Sequence, residues 1–171
     1  MESSETRDGG GLDELKQAIA EYHEASWRSI GTLMRPPFGP GRFLRIVFDK
    51  SVLEDGVGPM RDAQQKVVHR FADLAGTDEQ TAEPKVRALL MQSLTLRHAG
   101  QGETDLSRAA TDALLRFYLE GRTEDELLLG TQRAWDSVES ASRNPFLKRR
   151  RQAAQERYRS SWARWGAARQ A

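Results

Sequence analysis

The chain has 171 residues, of which 38% are apolar and 30% charged, a balance typical of a globular domain rather than of a disordered or membrane-spanning protein. No stretch approaches the roughly 18 consecutive apolar residues that a membrane-spanning helix needs. The polar first eleven residues lack the apolar centre of a signal peptide, so we expect a cytoplasmic protein. The absence of cysteine excludes disulfides and thiolate catalysis.

Residues 1–11 contain three consecutive glycines and no apolar residue after Met1, and this composition predicts a disordered N-terminal arm. From Leu12 the apolar residues recur at helical spacing to about Met34. The prolines of the segment RPPFGPGR, residues 35–42, are expected to stop this first helix.

The segment Phe43–Leu53 has the β-branched and aromatic content of a strand and also a helical apolar face. We favour a helix, because no second candidate strand is present to pair with it. Glycines and Pro59 are expected to end this segment. A further helix then covers Met60–Ala75, with Gly76 as its C-terminal cap.

Three more helices follow. The first begins near Pro84 and ends before Gly100, and the second is capped by Thr104 or Asp105 and closed by Gly121. The spacing of Thr123 and Glu126 predicts a capping box that opens the third helix, which runs to about Ser142. The pattern as a whole predicts an all-α fold, a single-domain bundle of six to seven helices over residues 12–171.

A basic, amphipathic C-terminal helix is predicted over residues 144–171, with Asn144 as cap and Pro145 at its first position. This segment has eight basic residues and one acidic residue, a formal charge of +7, whereas residues 1–143 sum to −6. Local basic surfaces, rather than the overall charge of +1, decide attraction to polyanions. The predicted partner- or nucleic-acid-binding residues of this helix are Lys148, Arg149, Arg150, Arg151, Arg157, Tyr158, Arg159, Trp162, Arg164 and Trp165.

The apolar stripe of this helix, Leu147, Ala154, Tyr158, Trp162 and Trp165, allows two interpretations. It either completes the core of the domain, with the arginines paired to the acidic body, or it docks on a partner. For the second interpretation we expect a protein partner or self-association first, since aromatic and arginine residues are enriched at interface hot spots. Nucleic acid is the alternative, with arginines on phosphates and aromatic rings stacked on bases.

The other functional classes have less support in the sequence. Membrane-surface binding is disfavoured, because the small Ala154 and the interrupting Arg151 make the apolar stripe thin for insertion. No catalytic motif, phosphate-binding glycine loop or metal-ligand spacing is present, so we predict no catalytic residues, metal or cofactor. The expected function is that of a non-enzymatic interaction or accessory subunit, and an enzyme with an unrecognised site is the second alternative.

Overall fold

The computed structural model of the chain describes residues 5–34, 50–99, 104–143 and 146–170. Within these ranges there is no strand, which confirms the predicted all-α class. None of the described helices is long and apolar enough to cross a membrane. The helices are α1 (Glu5–Met34), α2 (Lys50–Ala75), α3 (Glu79–Ala99), α4 (Asp105–Glu120), α5 (Glu126–Ser142) and α6 (Lys148–Ala167).

The chain divides into two compact units, residues 1–86 and 87–171, and the single domain predicted over residues 12–171 stays a prediction. The boundary falls within α3. A division inside a continuous helix has no exposed glycine-, proline- or polar-rich linker, so the composition of the chain does not reveal it.

In the first unit, α1 packs against α2. The buried apolar residues include Leu15, Ile19 and Tyr22 on α1 and Val67 and Phe71 on α2. Their spacing of three or four residues places them on one face of each helix, as the apolar pattern predicted.

The start of α1 differs from the prediction. The helix begins at Glu5, so residues 5–11 are helical rather than part of a disordered arm, and residues 1–4 lie outside the described ranges. Gly11 gives a physical reason, because a Cβ atom at this position would lie only 2.8 Å from Cδ2 of Leu74 on α2. Glycine therefore allows α1 and α2 to approach closely at this position. We infer that this packing stabilises the first turns of α1 although glycines have a weak intrinsic preference for helix.

The start of α2 also differs from the prediction. The helix runs without interruption from Lys50 to Ala75, with Pro59 inside it, so the glycines and proline do not separate two helices here. Pro59 is exposed and has no backbone N–H to donate within the helix. The helical interpretation holds for residues 50–53, and residues 43–49 lie outside the described ranges. Gly76 has a positive φ of 60°, as expected for the predicted cap.

The cap of α3 is Asp78 rather than a residue next to Pro84, which is the sixth residue of the helix. The Thr81 backbone N–H donates to Asp78 Oδ1 at 2.9 Å, and the Thr81 hydroxyl donates to Asp78 Oδ2 at 2.7 Å. These hydrogen bonds to the charged form hold the pKa of Asp78 below its usual value.

In the second unit, α6 packs against α5 and also contacts α4. Thr104 caps α4, forming reciprocal hydrogen bonds with Ser107, and Gly121 ends the helix with a φ of 72°. The predicted capping box at Thr123 is wrong, because the cap of α5 is Asp125. The last helix begins at Lys148, later than predicted, and Asn144 and Pro145 lie outside the described residues.

Candidate functional site

The apolar face of α6 is buried in the second unit. Tyr158, Trp162 and Trp165 have only 1%, 1% and 2% of their surface exposed. The centroid of the Tyr158 ring lies 5.2 Å from that of Trp135 on α5 and 6.4 Å from that of Trp162, which in turn lies 5.1 Å from that of Trp165. Such tilted and edge-to-face contacts are favourable aromatic geometries. The stripe therefore contributes to the chain's own core, with the exception of Leu147, which is exposed.

A polar network lies beside these aromatic rings. The fully buried Gln92 amide donates to the Tyr118 hydroxyl at 2.8 Å and to Gln132 Oε1 at 3.0 Å. Its own Oε1 accepts from the Tyr158 hydroxyl at 3.0 Å. Burial raises the pKa of Tyr118 to about 12 and raises the pKa of Tyr158 further. Both hydroxyls thus remain neutral donors, and the network fixes the register of α6 through side-chain hydrogen bonds.

Asp125 joins the start of α5 to the end of α6. Its Oδ1 accepts from the backbone N–H groups of Leu127 and Leu128, both at 3.1 Å, as an N-cap does. Its Oδ2 accepts from the Trp165 indole N–H at 3.0 Å and forms an ion pair with Arg169. Partial burial opposes ionisation, but the Leu128, Arg169 and Trp165 donors together hold the pKa of Asp125 below its usual value.

The surface of α6 outside the buried stripe is basic and largely exposed. Six of the predicted binding residues are exposed and one, Arg151, is partly buried. None of these seven side chains forms an ion pair with any described residue, whereas Arg169 pairs with Asp125. The seven residues are Lys148, Arg149, Arg150, Arg151, Arg157, Arg159 and Arg164.

These charges give the second unit its basic character. Residues 87–171 contain 15 basic and 10 acidic residues, a formal charge of +5, while residues 1–86 have 11 and 15, a formal charge of −4. Arg150, Arg157 and Arg164 are seven residues apart, so they follow one side of α6 at intervals of about 10.5 Å. No acidic residue in the described part of the chain forms an ion pair with these three arginines, so their positive charges are not neutralised by direct contact.

A cleft of about 310 Å³ lies between α5 and α6 along this row. Arg150 and Arg157 lie on the α6 side and Asp136 on the α5 side, and none of the three forms an ion pair with a described residue. Ser140 also lines the cleft, and its hydroxyl makes no hydrogen bond to a described residue. The cleft thus brings together charged and hydroxyl groups that can bind a small polar ligand group.

The structure divides the ten predicted binding residues into two sets. The seven basic residues lie at the surface or close to it, whereas Tyr158, Trp162 and Trp165 are buried and offer no surface to a partner in this arrangement. Sequence reasoning did not single out Asp136 and Ser140, which reach the same cleft from α5. Their position depends on how α5 and α6 pack, and no spacing in the sequence indicates it.

No protein family, curated protein or solved structure matches this chain.

Proposed function

We propose that this protein is a non-enzymatic nucleic-acid-binding protein that contacts phosphate groups through the exposed basic residues of α6. The observation that carries the proposal is the set of seven basic side chains on α6 without an ion pair to a described residue. Lys and Arg side chains that neutralise phosphates release condensed counterions, and this release drives binding. Because α6 is packed on its apolar face, the helix holds these charges in fixed positions along the rest of its surface.

The burial of the aromatic residues limits the mode of binding. Base stacking needs accessible rings, but Tyr158, Trp162 and Trp165 lie in the core of the second unit. The proposed contacts are therefore to the backbone, and binding depends on salt concentration much more than on base sequence.

Fluorescence anisotropy with a labelled single-stranded oligonucleotide tests this proposal. We expect the full chain to bind at low salt, with an affinity that falls linearly with salt concentration on a double-logarithmic plot. The triple variant R149Q/R159Q/R164Q should weaken binding and reduce the salt slope by about 0.7 for each phosphate contact that is lost. These three residues are exposed, so the variant should keep its fold.

A matched control removes three exposed arginines of the same unit that lie outside α6. The variant R116Q/R122Q/R133Q has the same change in net charge, and we expect its binding to stay close to that of the unmodified chain. Equal losses in the two triple variants, or no binding of RNA or DNA at low salt, would rule out a nucleic-acid surface on α6.

Assembly with a protein partner is the second candidate function, and it has support from a different observation. Phe146 is 92% exposed and Leu147 is 39% exposed, directly before the basic start of α6. An exposed aromatic residue beside arginines has the composition of an interface hot spot. Here the proposal is self-association or docking on an acidic protein surface through residues 146–151.

Analytical ultracentrifugation tests the self-association form of this second candidate. We expect the sedimentation coefficient of the full chain to rise with concentration, and the F146A variant to remain monomeric at concentrations where the unmodified chain associates. The control variant L127A removes another exposed apolar side chain, with 41% of its surface exposed, from the first turn of α5. A monomer at every concentration, or equal effects of the two variants, would exclude self-association through Phe146.

A further inference from the structure

The cleft between α5 and α6 has a chemical character that the rest of the basic face lacks. Two arginines line it from α6, and Asp136, Ser137 and Ser140 line it from α5. The buried Ala154 lies between Arg150 and Arg157 in the sequence of α6 and contributes a small side chain to the cleft. The cleft has a volume of about 310 Å³, which is at the lower end of the range for small-ligand pockets. This volume suits one phosphate with an adjoining sugar.

The charges in the cleft favour a monoanion. Arg150 and Arg157 supply two positive charges and Asp136 supplies one negative charge, so these three side chains sum to +1. A phosphodiester has a single negative charge, whereas a phosphomonoester has about −1.5 to −2 at pH 7. Charge complementarity therefore points to the phosphodiester of a nucleic-acid backbone rather than to a terminal phosphate.

Asp136 gives the cleft a hydrogen-bond acceptor beside the two cationic donors. An ionised carboxylate accepts hydrogen bonds and cannot donate one, so it repels a phosphate oxygen and attracts a hydroxyl group. In RNA each phosphodiester is next to a ribose 2′-hydroxyl, which is a donor that DNA lacks. The Ser140 hydroxyl, which has no described hydrogen-bond partner, is a further donor for a phosphate oxygen.

We infer that this cleft binds the RNA backbone, with Arg150 and Arg157 on one phosphodiester and Asp136 accepting a hydrogen bond from the neighbouring 2′-hydroxyl. The inference depends on the proposed nucleic-acid function and adds a preference for RNA. Arg150 and Arg157 would therefore bind within the cleft. Arg159 lies on the other side of α6 and outside the cleft, so it would contribute only to the general basic surface.

Three labelled oligonucleotides of the same base sequence test the preference in anisotropy titrations of the full chain: RNA, DNA and 2′-O-methyl RNA. The methylated RNA keeps the 2′-oxygen but lacks the hydroxyl donor. We expect RNA to bind about tenfold more tightly than the other two, the effect of one hydrogen bond to a charged group. In the D136A variant the three affinities should become equal, because the acceptor for the 2′-hydroxyl is absent.

Single arginine variants separate the cleft from the general basic surface. We expect R150Q and R157Q each to weaken RNA binding about tenfold, and the matched variant R159Q to weaken it much less. Equal affinities of the unmodified chain for the three oligonucleotides would overturn the inference and leave the proposed function standing. An unchanged RNA preference in D136A, or equal effects of R157Q and R159Q, would also overturn it, and the absence of all binding would overturn both proposals.

Discussion

The indole N–H of Trp165 donates a 3.0 Å hydrogen bond to Oδ2 of Asp125, and so connects the last turns of α6 with the N-terminal cap of α5. The guanidinium carbon of Arg169 lies 3.7 Å from the centroid of the same indole ring, and Arg169 also pairs with Asp125. One carboxylate therefore serves both as a helix cap and as the anchor of the C-terminal helix. This anchor holds α6 with its aromatic face inward and its basic face outward.

The double role of Asp125 predicts a difference between two substitutions. D125A removes the cap and the contacts to α6, and we expect it to lower the free energy of unfolding by about 2 kcal/mol, the upper end for loss of a cap. Asparagine can still cap a helix, so D125N should cost less, but its NH2 group cannot accept from the Trp165 indole N–H or from Arg169. Urea denaturation at neutral pH measures both. Equal losses in the two variants would contradict the contribution of the cap, and an unchanged stability of D125N would contradict an ionic contribution.

The lowered pKa of Asp125 also predicts a pH dependence. A carboxyl group whose pKa is lower in the folded state stabilises the fold above its unfolded pKa of about 3.9, and this contribution is lost as the pH falls through the folded value. We expect the stability difference between the unmodified chain and D125N to be largest near neutral pH and to decrease below about pH 4. A difference that stays constant between neutral pH and strongly acidic pH would exclude this linkage.

Two glycines inside helices provide a matched test of packing around α6. A Cβ atom at Gly130 of α5 has no heavy atom within 4 Å, whereas a Cβ atom at Gly166 of α6 would lie 2.5 Å from Cδ1 of Leu106 on α4. We expect G130A to raise the free energy of unfolding by about 0.5–1 kcal/mol through helix propensity. The gain in G166A should be smaller, because the Leu106 side chain must move.

A double variant checks the cause of that difference. In an L106A background the obstruction is absent, so G166A should there give the full gain seen for G130A. Thermal or urea unfolding monitored by circular dichroism measures each variant. If the gain from G166A is the same with and without Leu106, close packing of α4 on α6 does not limit it.

The helical class and the C-terminal ends of the first five helices were predictable from local signals. The positive φ values at Gly76 and Gly121, and the Thr104 cap, are properties of a few neighbouring residues that the sequence displays directly. The cap of α5 was missed because Thr123 and Asp125 both have capping side chains. Asp125 has two further donors, from Trp165 and Arg169, which only the tertiary structure brings to it.

Only part of the candidate site was predictable from the sequence, because its composition is local and its packing is not. The clustering of basic residues after residue 147 is visible in the sequence, and so is the aromatic stripe on the same helix. Which of the two faces is turned inward depends on whether the chain offers a surface for the stripe. Trp135 and Gln92 are part of that surface, and their contacts with Tyr158 span 23 and 66 residues of the chain, beyond the reach of local patterns.

The buried network around Gln92 predicts that substitutions of Gln92 and of Tyr158 lower the free energy of unfolding by very different amounts. Y158F removes one donor and leaves Gln92 Oε1 with a hydrogen bond from Gln132, so we expect a loss of about 1 kcal/mol. Q92A leaves the buried Tyr158 hydroxyl without its acceptor and opens a cavity, and we expect a loss of about 3 kcal/mol. Urea denaturation of both variants measures the difference, and a larger loss in Y158F than in Q92A would contradict this arrangement.

Arg169 and Arg164 separate the anchoring of α6 from its surface charge. Arg169 stacks on Trp165 and pairs with Asp125, whereas Arg164 is exposed and forms no ion pair with a described residue. R169Q should therefore lower the free energy of unfolding by about 1–2 kcal/mol, from the loss of a cation–π contact and an ion pair that is partly shielded from water. R164Q has the same change in net charge and should leave the unfolding free energy within about 0.5 kcal/mol of the unmodified value.

The same two variants should affect nucleic-acid affinity in the opposite order. R164Q removes a proposed phosphate contact and R169Q an internal contact, so the larger loss of affinity is expected in R164Q. Parallel urea denaturation and anisotropy titrations measure both effects, and a variant that loses stability and affinity together would contradict the division of α6 into an anchoring end and a binding face.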